Sequence, residues 1–218
     1  MSVGAVEQQG ARMRADACRN RARIAAAARE AFVEHGADVP LDEIARRAGI
    51  GNATLYRHFP DRRGLIRTVT LSVLVRTAEQ AEAARDEEPS AFAALRRFVH
   101  AAADERIGAV CPLLSGWVDP RDPEFAAART RLERAVSDII DAGRRSGDLR
   151  PDIAAGDVIV AVTQLARPLP GTGCGGADRF VHRHLDLLLD GLGTPRPTEL
   201  SGSATTLEDL RRLQGEYR

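Results

Sequence analysis

Asn52 to Phe59 reads Asn-Ala-Thr-Leu-Tyr-Arg-His-Phe, a run that brings a carboxamide, a hydroxyl, a phenol, a guanidinium and an imidazole within two helical turns. At 3.6 residues per turn, Leu55 and Phe59 fall about 40° apart on one face, and Ala53 and Arg57 lie about 160° and 200° from Leu55. Thr54 and Tyr56 flank that outer arc. The outward set suits close approach to a major groove: Thr54 can touch a thymine methyl or donate to phosphate, Tyr56 can donate to phosphate, and Arg57 can pair with guanine or phosphate. A polar helix face is also what any solvated helix presents. This one is set apart by its shortness, by the small residues before it and by two aromatics within four positions.

The surrounding elements are those such a segment needs. Pro60 ends the run, and the turn Gly49-Ile50-Gly51 precedes it. Before the turn, Pro40 suits a helix start, Leu41, Ile44, Ala45 and Ala48 make an apolar stripe, and Gly49 stops it. Two short helices, Pro40 to Ala48 and Asn52 to Phe59, joined by a glycine turn match a helix-turn-helix. A first helix from Asn20 to about Gly36 is predicted by Ile24, Ala27, Ala28, Ala31 and Phe32, with residues 1–18 expected as a flexible arm. Asp61 is placed to cap a fourth helix from about Arg62 to Arg85.

Leu41-Asp42-Glu43-Ile44-Ala45-Arg46-Arg47-Ala48-Gly49-Ile50 followed by Gly51-Asn52-Ala53-Thr54-Leu55-Tyr56-Arg57-His58-Phe59 resembles the signature of TetR-family repressors. The resemblance covers roughly Arg21 to Val69. It implies that Asn52, Ala53, Thr54, Tyr56, Arg57 and His58 face DNA, and that Arg62 stands where the family usually has a phosphate-binding Lys. It also implies a larger C-terminal domain that dimerises through its last two long helices and often encloses a small-molecule pocket. Val39-Pro40-Leu41 departs from the family, which usually has Ser or Thr ahead of the second helix, and Gly51-Asn52 replaces the common Ser-Lys pair. His58 lies at about −60° on the same wheel, so it reads either as a phosphate donor or as a hydrogen bonder between helices. Arg46 and Arg47 read as solvated, while Arg19, Arg21 and Arg23 could reach phosphate or an adjacent groove.

The rest of the chain agrees with an all-α fold, and the resemblance implies a three-helix DNA-binding domain with the helix-turn-helix followed by a larger helical ligand-binding and dimerisation domain. Aromatic residues are only 4% of the 218, and no sustained period-two strand occurs. Net charge is zero, yet residues 1–67 hold twelve Arg against eight acids and the remainder nineteen against twenty-three. A basic head on an acidic body is the asymmetry expected when only the head meets phosphate. There is no Lys.

The expected organisation is an arm (1–18), a DNA-binding domain (19–67), a regulatory and dimerisation domain (68–192) and a tail (193–218). Further helices are predicted over about Ser90 to Ile107, Val110 to Trp117, Pro123 to Ser146, Ile153 to Leu165 and Asp178 to Leu192, with a loop from Pro168 to Gly176. The stripes Val158, Val162, Leu165 and Leu185, Leu188, Leu189, Leu192 are candidates for a homodimer interface. Phe98, His100, Cys111, Trp117 and Phe125 are candidate pocket residues, each also explained by core packing.

Cys18, Cys111 and Cys174 form no C-x-x-C pair, and His182 and His184 point to different helix faces, so no metal site is expected. Asp119, Asp122 and Glu124 read as helix-capping acids. No catalytic motif or cofactor is indicated. No apolar run could span a bilayer, and a cytoplasmic protein is expected. The predicted function is a sequence-specific transcriptional regulator on a palindromic double-stranded operator, a repressor released by an unknown small-molecule effector. The alternative is a DNA-binding regulator or architectural protein without small-molecule control.

Overall fold

The computed structural model describes residues 3–119, 121–167, 174–193, 204 and 206–208, with side chains described for 16–17, 19–111, 115–119, 121–167, 180–193, 204 and 206–208. Among these residues every regular element is helical: α1 (Val3–His35), α2 (Leu41–Arg47), α3 (Asn52–His58), α4 (Arg62–Glu87), α5 (Ala91–Asp104), α6 (Ile107–Leu114), a 3-10 turn (Ser115–Trp117), α7 (Pro123–Ser146), α8 (Ala155–Leu165) and α9 (Cys174–Leu192).

Two elements differ from expectation at their starts. The segment read as an arm is helical from Val3, and forms the first half of α1. Its apolar residues follow no period, but Ala, Glu, Gln, Met and Arg favour helix and no Pro interrupts them, so propensity extends α1 backwards from its packed half. Cys174-Gly175-Gly176, read as the end of a loop, open α9. Pro168 to Gly173 lies outside the described residues, as does the tail beyond Gly193 apart from residues 204 and 206–208.

The chain forms two compact units, Met1–Thr70 with Leu113–Val118, and Leu71–Pro112 with Asp119–Arg218. The division falls inside α4, just beyond the residue 67 boundary expected from sequence. In the first unit α2 packs on α1 and on α3. Ile24, Ala28 and Phe32 of α1, Ile44 of α2, Leu55 of α3 and Leu65 and Ile66 of α4 are fully enclosed. Asp61 caps α4 as predicted, its Oδ1 accepting from Gly64 N at 2.7 Å.

In the second unit α5 packs against α7, α8 and α9. Ser90 Oγ accepts from Ala93 N to start α5, and Asp122 Oδ1 accepts from Glu124 N ahead of Pro123 to start α7. Asp119 Oδ1 accepts from Arg121 N at 2.9 Å, so these acids serve the backbone as expected. Gly147, at φ +80°, ends α7 in the left-handed conformation that glycine adopts without strain.

The stripes proposed for a dimer interface lie mostly inside this unit instead, with Leu165 and Leu188 half-buried. Val158, Val162, Leu185, Leu189 and Leu192 are all buried within the chain, and so cannot also meet a second copy. Both helices are apolar on more than one side, and periodicity alone does not say which side the chain covers. Val160, Phe180 and Leu187 remain 40%, 41% and 56% exposed on the outer faces of α8 and α9.

Gly108 marks a close approach to backbone in this unit. A Cβ there would stand 2.5 Å from the Thr163 carbonyl oxygen and 3.0 Å from the Ala166 Cβ, at the end of α8. Ala would gain about 1 kcal/mol in helix propensity, but a backbone carbonyl has no room to yield. Gly108→Ala is expected to be net destabilising, by about 1–3 kcal/mol in denaturant unfolding.

Candidate nucleic-acid interface

A seven-residue helix cannot hold itself together in water, so α3 must be placed by what surrounds it. The turn before it is a Schellman motif: Ile50 N donates to Ala45 O and Gly49 N donates to Arg46 O, both at 3.1 Å. Gly49 takes φ +65°, and a Cβ there would come within 3.2 Å of the Arg23 Nη2. Both constraints call for glycine. Leu55 and Phe59 anchor α3 below, at 0% and 2% exposure.

Two arginines of α1 then tie the helix ends in place. Arg23 Nη2 donates to Ala48 O at 2.6 Å, at the end of α2. Arg21 Nη1 donates to His58 O at 3.2 Å, at the end of α3, and its Nη2 donates to Thr68 Oγ1 of α4 at 3.0 Å. The Arg21 guanidinium also lies 4.5 Å from the Phe59 ring centroid, in cation–π contact. A cation beside the last carbonyls of a helix is favoured by both the hydrogen bond and the helix dipole. These residues, which the sequence left open as groove or phosphate contacts, are bonded within the head itself.

Arg46 and Arg47 are paired as well. Arg46 meets Glu43 at 2.6 and 2.9 Å, and Arg47 bonds Glu43 at 2.9 Å and Glu34 of α1 at 2.5 Å. The Arg46 and Arg47 hydrogen bonds hold the Glu43 carboxyl down at about 2. A depressed carboxylate keeps its contribution above the ordinary range and loses it as pH falls through the folded value, so this network persists on mild acidification.

The predicted outward face of α3 is outward in the structure. Asn52, Ala53, Tyr56 and Arg57 are exposed, with Thr54 and His58 half-buried. Among the described residues, the side chains of Asn52, Thr54, Tyr56, Arg57 and His58 have no hydrogen-bond or ionic partner. The His58 ring therefore makes no interhelical bond; only its carbonyl is engaged. Arg62 is set apart from this group, since its Nη1 donates to Ala37 O at 2.6 Å beyond the end of α1.

The candidate pocket residues are distributed differently. Phe98 and Phe125 are buried in the second unit on α5 and α7, whereas Trp117 belongs to the first, where its carbonyl accepts from Arg63 Nε at 3.4 Å. Burial around the sulfur pushes the Cys111 thiol up to about 11, which keeps it protonated and unreactive at neutral pH. His100 is half-buried and bonded to His182 and Asp186. Among the described residues no group of three or more His, Cys, Asp or Glu side chains could hold a metal ion, and no helix is long and apolar enough to cross a membrane.

A two-helix reading unit buttressed by α1 and α4, followed by a larger helical unit, defines a helix-turn-helix regulator. Residues 24–69 match the N-terminal domain of bacterial regulatory proteins of the tetR family, and residues 88–194 match the C-terminal domain of SbtR-like transcriptional regulators. The structure is similar to the TetR transcriptional regulator SCO0520 of Streptomyces coelicolor, at 31% identity over 82% of this chain and 99% of that one, with a TM-score of 0.60. It is also similar to a TetR regulatory protein of Mycobacterium vanbaalenii, at 27% identity over 84% and 99% of the two chains, with a TM-score of 0.59. The HTH-type regulator SAB2452 of Staphylococcus aureus is 46% identical over 54 residues, which span 24% of this chain and 29% of that protein. The chain belongs to the TetR family of transcriptional regulators. This is a family of regulators and not of enzymes.

The Arg23 bond gives a direct test of how the head is held. Arg23→Met keeps the side-chain stem but leaves the Ala48 carbonyl without its donor, and is expected to cost about 1–2 kcal/mol in denaturant unfolding.

Proposed function

We infer that the chain is a sequence-specific DNA-binding regulator, with residues 19–67 as the reading head and 68–192 as a regulatory and dimerisation domain. The observation that carries this is the outer face of α3, where Asn52, Tyr56 and Arg57 are exposed and unpartnered on a helix whose ends are otherwise bonded. In this reading Ala53 allows the helix close to the groove floor, Thr54 and Arg57 read base edges, and Asn52, Tyr56 and His58 meet phosphate. Arg62 keeps further N–H groups beyond the one given to Ala37, and with them contacts phosphate beside α4.

The operator is a double-stranded palindrome read by a homodimer, whose recognition helices enter successive major grooves about 34 Å apart. Support for the dimer comes from the outer faces of α8 and α9, where Val160, Phe180 and Leu187 leave apolar surface uncovered. A small-molecule effector bound in the second unit among Phe98, His100, Cys111 and Phe125 would change the spacing of the heads and release the operator, which makes the protein a cytoplasmic repressor. The second reading is DNA binding without an effector. A thermal-shift screen separates them: an effector stabilises the protein and frees bound DNA, and neither happens in the second case.

The reading head is tested by fluorescence anisotropy with duplexes from the DNA flanking the protein's own gene, against random duplex at physiological salt. Arg57→Ala is expected to weaken specific binding by about 5- to 150-fold, and Tyr56→Phe by about fivefold to tenfold. Unchanged affinity in both would exclude α3 as the recognition helix. For the dimer, Leu187→Glu is expected to give monomers in sedimentation and to lose operator affinity, since about 1.5–3 kcal/mol of side-chain burial per protomer is removed.

A further inference from the structure

His100 of α5 and His182 of α9 are joined in a way that neither core packing nor DNA binding requires. Their Nδ1 atoms are 2.7 Å apart. The remaining nitrogens each face a carboxylate, His100 Nε2 at 3.1 Å from Asp186 Oδ1 and His182 Nε2 at 3.1 Å from Asp104 Oδ1. Asp186 Oδ1 also meets Arg96 Nη2 at 3.0 Å. The ring planes are within 15° and the centroids are 5.0 Å apart. That separation is no less than the Nδ1–Nδ1 distance plus the two ring radii, so both nitrogens lie on the line between the centroids. The rings therefore meet edge to edge in nearly one plane, the geometry of an N–H···N hydrogen bond and not of face-to-face stacking.

Counting hydrogens shows what this geometry requires. A neutral imidazole has one N–H and one lone pair. Each Nε2 must carry a hydrogen to bond its carboxylate, which in two neutral rings leaves two lone pairs facing each other. One further proton between the Nδ1 atoms completes the chain from Asp104 through both rings to Asp186. A second would set two N–H groups head to head. The arrangement is complete with three ring hydrogens on four nitrogens, that is, with one imidazolium shared by two histidines between two carboxylates. A zinc ion on the line between the nitrogens does not fit, because zinc–nitrogen bonds of about 2.0–2.1 Å need a wider gap.

We propose that His100 and His182 form a proton-gated clasp fastening α9 to α5, closed when the pair holds one shared proton and opened by losing it or by gaining a second. Among the described residues the charged groups that meet the pair are Asp104 from α5 and Asp186 from α9, with Arg96 of α5 acting through Asp186. α8, packed on both helices, has Asp157 as its one charged residue, and that carboxylate bonds Ala154 N. α7 also packs against α5, and its Arg131 and Asp138 are paired with Glu82 and Arg85 of α4. Imidazole is the side chain whose ordinary charge change falls between about pH 5 and 8, and so the one suited to a proton-gated contact. On the dimer reading above, α9 also presents Phe180 and Leu187, and opening the clasp would loosen the second copy.

The test is thermal unfolding of the full chain from pH 5 to 9 alongside His100→Gln and His182→Gln, which keep a polar side chain without titrating. The wild-type advantage is expected to peak inside this range at about 2–4 °C and to shrink on both sides, with the double variant no less stable than either single one. Parallel curves would overturn the clasp. In the wild type alone, proton NMR should show a strongly downfield imidazole N–H within the same window; its absence at every pH counts against the proposal without any variant having to fold. Stabilisation by added zinc that needs both histidines would put a metal where the proton is proposed and overturn it too. Sedimentation at the same pH values keeps the two readings distinct: a monomer throughout defeats the dimer reading, while the unfolding profile decides the clasp.

Discussion

Helices of seven residues make too few internal hydrogen bonds to persist alone, and both α2 and α3 are of this length. Everything in the reading head follows from supplying from outside what these helices lack. Leu55 and Phe59 give α3 its buried side, the Schellman turn at Gly49 sets its direction from α2, and Arg21 and Arg23 bond the last carbonyls of both helices. A longer recognition helix would need less of this support, but would have more surface to fit into a groove.

The same dependence explains how the arginines are used. In a chain without Lys, a guanidinium can be a structural donor or a contact for phosphate, and composition does not distinguish the two. Arg21, Arg23, Arg46 and Arg47 are committed to bonds inside the head, and Glu43 and Glu34 balance two of them. Arg57 is left unpaired on the exposed face of α3 among the described residues. A solvated cation close to a groove is a better phosphate or base partner than one that must first break an internal pair.

The second unit solves a different problem, which is to cover helices that are apolar on several sides. α5 supplies the common surface, packing against α7, α8 and α9. Leu185, Leu189 and Leu192 turn inward from α9, and among its described residues Phe180 and Leu187 are the large apolar groups left exposed. At its edge, α9 is fastened to α5 by polar groups, His182 to His100 and Asp186 to Arg96.

The sequence by itself determined the local elements of the head. Pro60, Gly49 and Gly51 break the chain at fixed places, and the spacing of Leu55 and Phe59 sets which side of α3 is buried, so Asn52, Ala53, Tyr56 and Arg57 were legible as an outer face. These are short-range effects, decided within a few residues of each other. Residues 3–18 were misread because aperiodic sequence can still be helical through propensity. Only the tertiary structure decided which apolar side of α8 and α9 is covered, where Arg21 and Arg23 bond, and that His100 meets His182. Each of those outcomes joins residues far apart in the chain, 82 positions in the case of the histidines, and such contacts are chosen by the packing of whole helices against one another.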